Sequence, residues 1–185
     1  MQELSMNVLD VAENSVAAGS TLTEITVAID TAAKKLVITI ADNGRGMSEE
    51  TLQRVTDPFY TTRTTRHVGL GLPFFKQDAE AADGSFSIRS TPGKGTVVTA
   101  TFTLGHIDLA PLGDMSGTII SLIQCNPDID FIYCVQSDGE EFRMDTRELR
   151  QILGDVPLSM PEVAVFLRDY LRENTENLLK RSVQI

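Results

Sequence analysis

Hydrophobic positions recur along this chain with two different periods, and the switches between them predict its elements. In residues 3–18, Leu4, Val8, Val11, Ala12 and Val16 return at three- and four-residue intervals, the period of a helix with one buried face. Gly19 follows, the usual residue just past a helix end. "EITVAI" (24–29) and "KLVITIA" (35–41) alternate apolar with other positions, which predicts two strands joined in a hairpin by "DTAAK". Ser48 with Glu49 and Glu50 behind it reads as the cap and acidic first turn of a short helix to about Arg54. "DPFYTTRTTRHVGLGL" (57–72) holds neither period and reads as a loop. A helix is expected over 73–84, with Pro73 in its first turn and Gly84 at its stop. "SFSIRS" and "GTVVTATFTL" follow as strands joined by the turn "TPGKG".

After Leu104 the texture changes. Residues 105–114 read as a linker, and Asp114 is placed to cap a helix through Cys125. "DFIYCVQSDGEEFRMD" predicts a hairpin turning at Ser137-Asp138-Gly139. "TRELRQILG" is a short helix. A longer one starts at Pro161, with Val163, Phe166, Leu167, Tyr170 and Leu171 expected on one face. There is no internal repeat and no low-complexity segment. Residues 1–104 therefore order as α-β-β-α-loop-α-β-β, which predicts an α+β fold: a two-layer α/β sandwich with helices on one face of a mixed or antiparallel sheet. Residues 105–185 form a C-terminal helix and hairpin extension of unassigned role.

Composition narrows the function. The 185 residues suffice for one domain with a sizeable core, and 42% hydrophobic with 23% charged residues is ordinary for a globular protein. No apolar run approaches a membrane span, and no signal peptide is visible, so a cytoplasmic protein without membrane association is expected. Cys125 and Cys134 lack metal-type spacing and are expected as buried thiols in a reducing compartment. A net charge of −10 argues against nucleic acid or an anionic membrane as the main partner. The charge is uneven, −3 over residues 1–104 and −7 over 105–185, so an anionic ligand is held more easily by the first part.

Three stretches carry candidate chemistry. On the opening helix Asn7, Asp10 and Asn14 fall within an arc of about 60°. That strip is either a solvated face or an oxygen-rich edge for a hard cation. Mg²⁺ takes few protein oxygens, and the Asn14 amide suits it. In "DNGRGM" (42–47), Asp42 at a strand end can accept from an exocyclic amine, while Gly44 and Gly46 let the backbone approach a flat base. A plain Asx-Gly turn is the simpler reading. In "GLGL" (69–72), backbone N–H groups entering a helix suit phosphate, with Arg63 and Arg66 nearby for outer phosphates.

The order of these blocks resembles the nucleotide-binding domain of the GHKL superfamily: DNA gyrase B subunits, heat-shock chaperones, histidine kinases and MutL proteins. The matching blocks are the N box (6–19), the G1 box (42–47), the F box (57–62), the G2 box (69–72) and "GKGT" (93–96), covering roughly residues 3–104. "DPFYTTR", "GLGL" and "GKGT" look most like a histidine kinase catalytic domain, with a likeness also to anti-sigma-factor serine kinases; "ENSVAAG" is similar to MutL. The resemblance implies the Bergerat ATP-binding fold, with ATP and Mg²⁺ as ligands. It implies that Asn14 ligates the Mg²⁺ bridging the ATP phosphates. Asp10 stands where gyrase-like ATPases keep a general-base Glu and many histidine kinases keep Asn, which makes it the catalytic candidate. Asp42 would read the adenine amino group, Gly44 and Gly46 would line its pocket, and Thr96 would sit near the base. Phe59 would be the F-box aromatic. Residues 61–68 would form the ATP lid, with Arg63 near the phosphates. Gly69 and Gly71 would present N–H groups there, within the same motif as Leu70 and Leu72.

The sequence also departs from the pattern. His67 and Val68 replace a Gly and a Ser or Thr that often precede "GLGL", and Pro73 is unusual after it. The family's short strand and leading helix before the N box have no counterpart here, so the tail or a second subunit is expected to fill that sheet edge. His67 and His106 are the chain's two histidines, and neither precedes an acidic residue on an amphipathic helix. The expected function is a stand-alone ATP-binding module that phosphorylates a partner protein on His, Ser or Thr. The alternatives are an ATP-hydrolysing conformational switch and a nucleotide-sensing module without turnover. A homodimer through residues 105–185 is a further option.

Overall fold

Thr23, Ile25, Val27 and Ile29 alternate with exposed or half-exposed neighbours along strand β1 (Leu22–Asp30), so one face of the strand carries the core. In the computed structural model, which describes residues 3–57 and 71–183, β1 turns back antiparallel onto β2 (Lys35–Asp42). β2 pairs in turn with β4 (Gly95–Thr103), and β4 with the edge strand β3 (Ser85–Thr91), both antiparallel. The register aligns apolar rows across the sheet: Ile25–Ile40–Val98–Ile88 and Val27–Ile38–Ala100–Phe86. The opposite face carries rows such as Thr26–Thr39–Thr99–Ser87.

Helices cover the apolar face. α1 (Leu4–Ala17) buries Leu4, Val8, Val11 and Ala12, and α3 (Gly71–Ala81) buries Leu72, Phe75 and Ala79. Phe75 packs between Phe86 and Phe102 at centroid distances of 6.2 and 6.0 Å. The short helix α2 (Glu49–Arg54) is capped by Ser48, whose side chain accepts from the Thr51 N–H. α3 begins two residues earlier than Pro73 suggests. Proline is tolerated there because the first N–H groups of a helix have no partner within it.

The remaining elements are α4 (Met115–Cys125), β5 (Asp130–Ser137), β6 (Glu140–Asp145), α5 (Thr146–Leu153) and α6 (Pro161–Val183). Asp114 caps α4 by accepting from the Gly117 N–H at 2.8 Å. β5 lies parallel to β1, and among the described residues six strands form one sheet in the order β3-β4-β2-β1-β5-β6. The edge beside β1 is thus filled by the chain's own β5. The linker contributes too: the Leu4 and Ser5 N–H groups donate to the Pro111 and Leu112 carbonyls, both at 2.9 Å. Those bonds satisfy the start of α1, which has no side-chain cap. Among the described residues no helix is long and apolar enough to cross a membrane.

Two expectations need correction. On α6, Val163, Leu167 and Leu171 are buried, but Phe166 is 64% and Tyr170 37% exposed. Ala164 and Leu178 share the buried face instead, and Phe166 sits about 100° round the helix from Leu167. Phe166 stacks on Tyr170, which meets Phe142 edge-on. The second concerns the thiols: Cys134 is buried, but Cys125 is exposed. It follows exposed Ser121 by four residues, which puts both on the outer side of α4.

The turn from β6 into α5 is held by one buried carboxylate. Asp145, 3% exposed, accepts from Arg147 Nη2 and Arg143 Nη2, both at 2.7 Å, and from the Arg147 N–H at 2.9 Å. Hydrogen bonds from the Arg147 side chain, ahead of its backbone and of Arg143, pull the Asp145 carboxyl down to about 2. A carboxyl whose folded value lies below its unfolded one stabilises the fold fully above the unfolded value, near 4, and stops doing so as pH falls toward 2. Chemical denaturation at pH 7 and pH 2.5 is expected to show Asp145→Asn losing on the order of 1–2 kcal/mol at pH 7 and about a third of that at pH 2.5. Both guanidinium groups are substantially exposed, which keeps the effect at that modest size. An equal loss at both pH values would show that charge is not the cause.

Candidate nucleotide site

β2 ends at Asp42, which lies opposite Thr23 of β1 and Thr96 of β4. Its carboxylate is fixed at both oxygens. The Gly44 N–H donates to Oδ1 and the Ser15 hydroxyl to Oδ2, each at 2.8 Å. The first bond is the Asx-type turn that Asp-x-Gly favours. The second comes from the last turns of α1, where Ser15 is 3% exposed. The rest of the loop is stitched to the same corner. Asn43 Oδ1 accepts from the Thr21 and Leu22 N–H groups at 2.9 and 3.0 Å, and the Arg45 N–H donates to the Ala18 carbonyl at 3.0 Å.

The β3–β4 turn closes over this loop. The Met47 N–H donates to Ser90 Oγ at 2.8 Å, and Ser90 Oγ lies 2.9 Å from Thr96 Oγ1 and donates to the Gly95 carbonyl. The Gly93 N–H donates to the Arg45 carbonyl at 2.8 Å. Two glycines make the approach possible. A β-carbon at Gly46 (φ +66°) would stand 2.0 Å from the Thr91 carbonyl oxygen, and one at Gly95 (φ +113°) 1.8 Å from that of Asp42.

The three polar residues of α1 part company. Asn7 is 1% exposed and turned to α3, where its Nδ2 donates to Asp78 Oδ2 at 2.6 Å. Asp10 is half-buried against the start of α3: a β-carbon built on Gly71 would lie 2.9 Å from Asp10 Cβ. The start of α3, the positive end of its dipole, thus lies against Asp10. Asn14 follows one turn later, half-buried and directly before Ser15. Leu72 is buried in the core cluster. Asp42, Gly44, Gly46 and Thr96 are therefore gathered at one corner, and Asp10 meets Gly71. Phe59, Arg63, Gly69 and Leu70, with the lid stretch 61–68, lie outside the described residues.

Ser15 and Ser90 are the residues that the sequence reading passed over. Ser15 had a signal: it stands four residues after Val11, on the apolar side of the helix, where a hydroxyl needs a partner from another element. Ser90 had none, because its bonds depend on the β3–β4 turn folding onto the 42–47 loop.

A sheet covered by helices on one face, with an Asp-x-Gly-x-Gly loop and two helix ends at one corner, is the α/β sandwich of the GHKL class. The chain belongs to the family of histidine kinase-, DNA gyrase B- and HSP90-like ATPases, whose model matches residues 1–106. It is 41% identical over 105 residues to the sensor protein kinase FleS of Pseudomonas aeruginosa, a match covering 57% of this chain and 25% of that protein. It is 37% identical over 73 residues to sporulation kinase C of Bacillus subtilis, covering 40% and 17%. The chain thus spans a quarter or less of the length of these curated relatives. A solved N-terminal domain of a DNA repair protein has the same fold, with a TM-score of 0.57 at 15% identity over 78% of this chain and 53% of that one.

Proposed function

We propose that this corner binds Mg²⁺-ATP and that the chain transfers the terminal phosphoryl group to a partner protein. One observation carries the reading: α1 meets Asp42 near its C-terminal end, through buried Ser15, and the start of α3 a turn and a half earlier, through Asp10 and Gly71. Ser15 and Asp10 are five residues apart, about 7.5 Å along a helix axis and about 140° round it, so α1 supports the Asp42 corner and the start of α3 from two different faces. The donor set fits such a ligand. Each Asp42 oxygen spends one acceptor site on the protein and keeps another, as reading an exocyclic amine requires. Gly44 packs on Ala18 and Gly46 on the Thr91 carbonyl, which holds the loop that carries Asp42 in place. The N–H groups at the start of α3 suit phosphate oxygens, and the Asn14 amide suits Mg²⁺, which would supply charge neutralisation at the phosphates. The kinase names of the curated relatives support phosphoryl transfer over binding alone.

In this reading the chain's own residues act chiefly by position. Asp42 orients the base, Asn14 the metal, and Gly71 with Gly69 and Arg63 the phosphates. A protein partner supplies the acceptor side chain, on a cytoplasmic protein that engages neither nucleic acid nor membrane. Dimerisation through the 105–185 segment belongs to the same proposal and is read out by sedimentation.

A second reading, an ATP-hydrolysing switch, is favoured by the half-buried Asp10 beside the first turn of α3, where a general base for water would stand. Incubation with γ-³²P-ATP and candidate partners separates the two. Label on a partner protein is the expected result. Free phosphate without any labelled protein overturns the kinase reading. Loss of that free phosphate in Asp10→Asn, with ATP affinity unchanged, then identifies Asp10 as the base.

A further inference from the structure

We infer that Ser15 is a positioning residue for base selection, holding the Asp42 carboxylate in the one orientation that reads a 6-amino purine. This rests on the nucleotide reading above and adds a residue and a selectivity to it. The first observation is where the hydroxyl goes. A Ser or Thr inside a helix commonly faces solvent or bonds the carbonyl one turn back, the latter as Thr175 Oγ1 does to the Leu171 carbonyl in α6 at 2.7 Å. Ser15 Oγ instead donates across to Asp42 Oδ2, 27 residues away, from a buried position.

The second observation is the symmetry of the restraint. Oδ1 is held by the Gly44 N–H from the loop itself, and Oδ2 by a different element at the same 2.8 Å. One bond alone leaves the carboxylate free to swing about its terminal torsion, which is broad for Asp. Two bonds from opposite sides define its plane and therefore the direction of its remaining lone pairs. Among the described residues no cation pairs with Asp42, so both fixed contacts are neutral donors and the carboxylate keeps its acceptor strength for a ligand amine. A 6-oxo purine would set a carbonyl oxygen against that carboxylate, acceptor facing acceptor. Ser15 also adjoins Asn14, so the residue that orients base recognition and the proposed metal ligand move together on one helix.

The test measures Kd for ATP and for purine riboside triphosphate, which lacks the 6-amino group, in the wild type, Ser15→Ala and Ser15→Thr. The wild type should prefer ATP. Ser15→Ala should lose about tenfold in ATP affinity while its affinity for purine riboside triphosphate is unchanged, because the hydroxyl acts only through the contact to the amine. Ser15→Thr, which keeps the hydroxyl, should restore the preference. Thermal melting without nucleotide checks that the alanine variant is folded. Equal losses for both nucleotides, or no loss for either, overturn the role of Ser15 and leave the Mg²⁺-ATP reading standing. A wild type that binds neither nucleotide overturns both.

Discussion

Asp42→Ala is expected to weaken Mg²⁺-ATP binding by about 100-fold in calorimetry, the largest effect of any substitution at this corner. A charged acceptor meeting an amine in a partly buried site contributes about 1.5–3 kcal/mol, and alanine also releases the Gly44 N–H and leaves the buried Ser15 hydroxyl without its acceptor. The loop itself should survive, because Asn43, Arg45 and Met47 keep their own bonds to Thr21, Leu22, Ala18 and Ser90. Asn14→Ala should behave differently. Its amide is assigned to the metal, so the variant should lose affinity in the presence of Mg²⁺ and match the wild type in EDTA. Wild-type affinity retained by both variants would sink the assignment of the site.

Gly95→Ala should cost on the order of 3 kcal/mol in urea unfolding, whereas Gly93→Ala in the same turn should cost about 1 kcal/mol. Both glycines have positive φ, +113° and +75°, so both substitutions carry backbone strain. They differ in space. A β-carbon at Gly93 meets nothing within 4 Å, but at Gly95 it would stand 1.8 Å from the Asp42 carbonyl oxygen and 2.9 Å from Asn43 Cα. Those are backbone atoms at the end of β2 and the start of the 42–47 loop, and they cannot step aside as a side-chain tip can. Relief means prising the β3–β4 turn from the 42–47 loop, with loss of the Met47–Ser90 and Gly93–Arg45 bonds. Equal costs at the two positions would show that backbone strain alone, and not the close approach, governs this turn.

The parts of this fold that were legible beforehand are those whose physics is local. Alternation marked β1 and β2 because every second residue of a half-buried strand faces the core. The caps at Ser48 and Asp114 were legible because a capping side chain bonds N–H groups two or three residues away. Asp42, Gly44 and Gly46 could be picked out for the same reason: the Asx turn closes within three residues. The face of α6 was less legible. Val163, Leu167 and Leu171 compete there with Phe166 and Tyr170, and which side turns inward depends on the surface already built by α4, β5 and β6. Size and hydrophobicity favoured Phe166, and packing left it outside.

By itself the sequence determined the element order, the apolar face of β1 and β2, and the family to which residues 1–106 belong, and it singled out Asn7, Asp10, Asn14, Asp42 and the Gly pairs as the proposed ligand set. Only the tertiary structure decided how that set is divided. It turned Asn7 away to Asp78, brought Asp10 against Gly71, and gave Asp42 its second anchor in Ser15. It also laid β5 parallel beside β1 and closed the start of α1 with the Pro111 and Leu112 carbonyls. The physical reason is common to all five. Periodicity and turn chemistry act over a few residues, whereas each of these contacts joins groups far apart in the chain that meet only once the helices have packed on the sheet.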